Sequence, residues 1–131
     1  MTFGDIPSAT RPVRVLTIDD QAIFRAIARD VIAATAGFEA VGEADGGEAG
    51  IEAVGRLSPD LVLLDVRMPD VSGIDVARRL ITMHPEVVVV LISIEERIDV
   101  PSAAALGSIP LVRKQDFGPR LLRKLWSEHH H

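Results

Sequence analysis

The 131-residue sequence contains no cysteine, which excludes a disulfide framework, zinc-thiolate sites and thiol catalysis. Aromatic side chains are scarce. One Trp and four Phe are too few and too scattered to build a platform for stacking bases. Lysine is scarce as well: only Lys114 and Lys124 stand beside twelve arginines. The longest uninterrupted apolar run is the six residues 87–92, far short of the ~20 needed to cross a bilayer. Gly46-Gly47 is not part of a GxGxxG fingerprint, so no dinucleotide site is read there. No internal repeat or low-complexity segment is present. Acidic residues outnumber basic ones 19 to 14, a net charge of −5, which argues against broad nucleic-acid binding by this segment. With 47% apolar and 25% charged residues, the composition is that of one ordinary globular domain whose core needs no covalent or metal staple.

The ends read differently from the middle. Residues 1–12 carry Gly4, Asp5, Pro7 and Pro12 without an apolar stretch, and are read as a flexible leader with no signal peptide. Residues 128–131 end in three histidines and are read as the remnant of a purification tag. The domain is placed at 13–127. Within it, short apolar runs at 13–18, 39–44, 61–64, 87–92 and 109–112 alternate with helical patterns at 21–36, 45–57, 73–83, 99–107 and 117–126. Strands alternating with crossover-length helices predict a parallel sheet. The runs are continuously apolar, as expected when helices cover both faces. Asp45…Glu48 and Ser72…Asp75 have the spacing of capping boxes, and Asp116 is positioned to cap the last helix ahead of Pro119,.

The chemistry-bearing residues stand at the carboxyl ends of these runs. The first ends in Asp19-Asp20, the third in Asp65, the fourth in Ser93 and the fifth in Lys114. Ligands of open α/β sheets bind outside the carboxyl ends of the strands, at the switch point. In a five-stranded order 2-1-3-4-5, strands 1 and 3 are neighbours. Asp19, Asp20 and Asp65 then converge, with Ser93 and Lys114 bordering the same crevice. Three carboxylates at one point repel each other, and a hard, oxygen-preferring cation such as Mg²⁺ (or Mn²⁺) relieves this. One carboxylate is then free to attack an electrophilic phosphorus. Lys114 offers a point charge to a phosphoryl oxygen, and Ser93 offers a hydroxyl.

These features, over roughly residues 13–126, resemble the receiver domain of bacterial two-component response regulators. The resemblance rests on Asp19-Asp20, Asp65, the following Met68-Pro69-Asp70 with Gly73, Ser93 and Lys114, each in order and each at a strand end. It implies a flavodoxin-like (βα)5 doubly wound fold, and cytoplasmic phosphorelay signalling in which Asp65 takes a phosphoryl group from a sensor histidine kinase. It also implies a metal held by Asp20, Asp65 and the backbone carbonyl of Arg67, with Asp19 acting largely through water. Phosphorylation would then switch a surface of the fourth helix, fifth strand and last helix, which also offers a homodimer contact. Such a domain is a phosphoacceptor with slow autodephosphorylation, not an enzyme in the ordinary sense, and takes no membrane or direct nucleic-acid partner.

Two positions depart from the common pattern. Leu111 stands where the family often has an aromatic switch residue, so the surface is expected to change through loop and helix shifts. Gln115 replaces a frequent proline after Lys114, so a trans peptide is expected there. Arg67 and Glu95 are expected to face each other across the phosphate entrance and to hinder an attacking water. Two alternatives stand beside this reading. One is an interaction module that no longer depends on phosphorylation. The other is a Mg²⁺-dependent aspartyl-phosphate phosphatase, against which Arg67 speaks, since that class generally has a second Asp two residues past the nucleophile.

Overall fold

A computed structural model describes residues 11–94 and 109–130. The apolar runs form β1 (Val13–Ile18), β2 (Phe38–Ala44), β3 (Leu61–Asp65), β4 (Val88–Ser93) and β5 (Leu111–Arg113). They pair in parallel in the order β2-β1-β3-β4-β5. Four helices accompany them among the described residues: α1 (Ala22–Ala33), α2 (Gly47–Leu57), α3 (Gly73–Met83) and α4 (Pro119–His129). None is long and apolar enough to cross a membrane. The expected helix at 99–107 and Glu95 lie outside the described residues.

Every residue of β3 and β4 is buried, because alternate side chains enter two separate cores. Leu16, Ile18, Val62, Leu64, Val89 and Leu91 pack with Ile51 and Val54 of α2 and Val76, Ala77 and Leu80 of α3. Val15, Leu61, Leu63, Val90 and Ile92 pack with Phe24, Ala28 and Ile32 of α1 and Leu122 and Leu125 of α4. Burying one such Leu, Ile or Val is worth about 1.5–3 kcal/mol. The two-sided covering therefore explains why these strands show no polar alternation. β2 is the edge strand on one side. Its register against β1 slips between Val15 and Leu16, and three of its residues are exposed.

Several expected helix ends are corrected. α1 stops at Ala33, short of residue 36, where a turn with Gly37 at φ +87° leads into β2. The Asp45…Glu48 capping box does not form, since the residue flanking α2 is Gly46. The free amides of Gly47 and Glu48 instead donate to the Asp70 carboxylate at 3.1 and 3.2 Å. Those two bonds hold Asp70 below the usual carboxylate range,. Ser72 does cap α3 through the Ile74 amide at 3.2 Å. Asp116 does not cap α4. It lies in a 3₁₀ turn (Lys114–Asp116) and pairs with Arg113 at 3.0 Å, while α4 starts at Pro119 after Gly118 and runs on to His129.

The turn between β3 and α3 is drawn tight by its glycine. The Gly73 amide donates to the Val66 carbonyl at 2.8 Å, and a Cβ placed on Gly73 would lie 2.0 Å from the Asp65 carbonyl oxygen. The obstacle is main chain, so it cannot rotate away. Gly73→Ala is expected to cost about 1–3 kcal/mol of stability by overpacking. Urea denaturation measures this, and an unchanged midpoint would contradict the close approach.

Candidate functional site

The site is assembled by the register of β1 on β3. Ile18 pairs with Leu64, so Asp19 and Asp65 emerge side by side where the strands end. One carboxylate oxygen from each of Asp19, Asp20 and Asp65 lies within 4.8 Å of the other two. Asp65 pairs in turn with Ile92, and Ser93 with Arg113. Asp65, Ser93 and Lys114 thus occupy successive positions along the carboxyl edge of β3, β4 and β5. The sequence expectation that residues 19, 20, 65, 93 and 114 share one edge is met.

Asp19 is wholly buried at 0% exposure. Its Oδ1 accepts from the Gln21 amide at 2.8 Å, its carbonyl accepts from Arg25 Nη1 at 2.6 Å, and its amide donates to the Ala44 carbonyl at 3.0 Å. Its Oδ2 has no well-directed hydrogen bond and faces Lys114 Nζ at 2.6 Å. Charge attraction to that ammonium is what compensates its burial. Asp20, in contrast, is exposed and stands at the open mouth of the cluster.

Asp65 closes β3 at 6% exposure. Its Oδ1 accepts from the Arg67 amide at 3.4 Å and lies 3.8 Å from Lys114 Nζ. Burial is the largest influence on its carboxyl and the Asp19 charge the second. Together they push its pKa up to about 7, against the opposing pull of Lys114 and the Arg67 amide,. An acid held that far from its ordinary range by burial, and next by a neighbouring carboxylate, marks a place where positive charge is wanted,. The available donors are all carboxylate oxygens, which suits a hard divalent ion of the magnesium or manganese class.

Ser93 is buried at the end of β4, and Arg67 has an exposed side chain beside the loop that leaves Asp65. Leu111 is 40% exposed on β5, opposite Leu91. The peptide after Lys114 is trans, as expected.

Two contributors escaped the sequence reading. Phe24 of α1 places its ring centroid 4.8 Å from Lys114 Nζ. Nothing in the linear pattern separates it from Ile23, which is 79% exposed. Asp70 was read only as part of the Met-Pro-Asp turn, yet it bolts that turn to α2. The signal was a carboxylate facing a helix start that has only glycines to cap it, which becomes visible once α2 and the turn are placed side by side.

Comparison with known proteins bears on this arrangement. Residues 15–125 match the family model of the response regulator receiver domain. A protein-glutamate methylesterase/protein-glutamine glutaminase of Anaeromyxobacter dehalogenans is 36% identical over 115 residues, 86% of this chain and 32% of that protein. Response regulator GacA of Pseudomonas viridiflava is 36% identical over 90 residues, 69% of this chain and 42% of its own length. The chain therefore spans a third to under half of these relatives. Among solved structures, the signal receiver domain of NarL from Mycobacterium tuberculosis superposes with a TM-score of 0.80 at 29% identity, covering 89% of this chain and 95% of that one. The response regulator domain of Thermotoga maritima CheB does so with a TM-score of 0.77 at 26% identity, covering 89% and 96%. With its flavodoxin-like sheet order and its acidic cluster at the β1–β3 switch point, this chain belongs to the response regulator receiver domains of two-component signalling.

Proposed function

We propose that Asp65 is the phosphoacceptor and that its phosphorylation, with a divalent cation bound, sets the state of a protein-interaction surface. The observation that carries this is the convergence of the Lys114 ammonium and the Asp19–Asp20 doublet on the Asp65 carboxylate. The donor is a phosphohistidine of a sensor histidine kinase in the cytoplasm. An Asp65 carboxylate oxygen attacks phosphorus, the P–N bond to the donor imidazole breaks, and the imidazole nitrogen keeps the electron pair. The product is an acyl phosphate. Slow attack of water on its phosphorus breaks the new O–P bond and returns the carboxylate. Lys114 Nζ, 3.8 Å from Asp65 Oδ1, is close enough to turn from Asp19 toward a phosphoryl oxygen. The Ser93 hydroxyl, one residue past the β4 partner of Asp65, serves another.

Asp20, Asp65 and the Arg67 carbonyl are the residues that would hold Mg²⁺ or Mn²⁺, with Asp19 acting through water. Bound there, such an ion would supply positive charge to offset that of the transferring phosphoryl group. Arg67, exposed two residues past Asp65, guards the entrance against water and tunes how long the phosphoryl group persists. Leu111 has no ring to turn inward. The response therefore travels through β5 and α4, toward an output domain, a partner or a second copy.

Beryllofluoride, a phosphoryl mimic, tests the site. It is expected to bind the wild-type protein with Mg²⁺ and fail to bind without it. Asp65→Asn is expected to abolish binding, by calorimetry or ¹⁹F NMR. Binding that survives in Asp65→Asn would contradict the assignment. Replacing Arg67 by Ala is expected to change the decay rate of the phosphorylated protein, and an identical rate would contradict its guarding role.

The raised pKa of Asp65 has a thermodynamic consequence in metal-free protein. The folded state keeps the Asp65 proton up to about pH 7, whereas the unfolded chain releases it near the ordinary Asp value. The folded state thus binds more protons between these limits, and stability falls as pH rises through them. Asp65→Asn removes this loss. It is expected to be more stable than wild type by on the order of 1–3 kcal/mol above pH 7 and nearly equal below pH 4. Chemical denaturation across this range is the check, and a pH-independent difference would contradict it.

A further inference from the structure

Lys114 is the one group that the site must both hold and release, and its surroundings are only partly explained by the two carboxylates. The side chain is 8% exposed, with Nζ 2.6 Å from Asp19 Oδ2 and 3.8 Å from Asp65 Oδ1. The remaining side of the ammonium faces the Phe24 ring at 4.8 Å from its centroid, within the range in which a ring's negative face attracts a cation. Phe24 is itself fixed. It is buried, and the Phe117 ring leans on it at 6.1 Å with a 54° tilt. Phe117 directly follows the 3₁₀ turn that begins at Lys114, and its amide donates to the Lys114 carbonyl at 3.2 Å. The turn therefore lays its lysine and its phenylalanine on the same ring of α1. The start of that helix is in turn tied to Asp19 through the Gln21 amide.

We infer that Phe24 is a positioning residue for the phosphoryl-transfer reaction. Its ring face seats the Lys114 ammonium beside Asp65 and lets it move from Asp19 to the phosphoryl group without losing compensation for its charge. The inference rests on the reading of Asp65 as phosphoacceptor. Two features separate this from simple packing. The 2.6 Å contact with Asp19 Oδ2 is short, so an ammonium that moves away from Asp19 gives up much of that attraction,. A ring face attracts over a broad area, so Nζ can slide above it while its carboxylate partner changes. An aliphatic side chain of similar volume would fill the space and supply none of this.

The test keeps shape constant and varies only the ring's charge distribution. Phe24 is replaced by phenylalanines bearing one, two and three ring fluorines, which progressively cancel the negative face. Each protein is phosphorylated with acetyl phosphate at saturating Mg²⁺, and Mg²⁺ affinity is measured separately. The expected result is a stepwise fall in phosphorylation rate, reaching about threefold or more for the trifluorinated ring, with Mg²⁺ affinity unchanged. The fall should vanish when Lys114→Met is combined with the same series. A rate indifferent to fluorination overturns the inference, as does a fall that persists with Lys114→Met. Absence of labelling in the wild-type protein would overturn the phosphoacceptor reading itself and this inference with it. A labelled wild type with a flat fluorine series overturns the role of Phe24 alone.

Discussion

A buried ammonium held between two carboxylates is the constraint on which the site depends. Lys114 lies beyond β5 and Asp19 beyond β1, strands separated in the sheet by β3 and β4. Their ion pair spans the carboxyl edge of the sheet above Asp65. Removing either partner would leave an uncompensated buried charge, a strongly destabilising change. With all groups ionised, the Asp19–Asp20–Asp65 cluster carries three negative charges against the one positive charge of Lys114. Two remain, the charge a divalent cation cancels. The elevated Asp65 pKa, raised first by burial and then by the Asp19 charge, expresses part of the same deficit in protein without metal.

The rest of the fold exists to keep these groups together. Strands buried on both faces deliver Asp19, Asp65 and Ser93 to one edge because their parallel registers set the ends of β1, β3 and β4 side by side. Beyond Asp65 the chain must reverse in a few residues. Gly73 lets the start of α3 approach the Asp65 main chain, and Asp70 anchors the turn to the open amides of α2. Glu48 and Arg79 add a further link between α2 and α3 at 2.8 Å. The loop that carries the Arg67 carbonyl is thus gripped at both ends.

The parallel sheet and its strand order were legible because continuous apolar runs between helical patterns admit few other folds. The positions of Asp19, Asp20, Asp65, Ser93 and Lys114 were legible for the same reason: a polar residue ending such a run must stand at the sheet's edge. Helix ends were read less well. Local spacing made Asp45 and Asp116 look like caps, but a distant carboxylate took over the first task, and a 3₁₀ turn holds Asp116 away from the start of α4. Phe24 could not be found in the sequence at all. Its role depends on which face of α1 meets the turn after β5, a tertiary fact with no trace in local periodicity.

The central claim is that the carboxylate at the end of β3 takes the phosphoryl group as an acyl phosphate. Treating the protein with acetyl phosphate and Mg²⁺, then with borohydride, reduces any acyl phosphate to an alcohol whose position peptide mass spectrometry reads. The account predicts homoserine at position 65, dependent on Mg²⁺. Reduction at Asp19 or Asp20 instead, or no reduced aspartate in protein that carries phosphate, would contradict it.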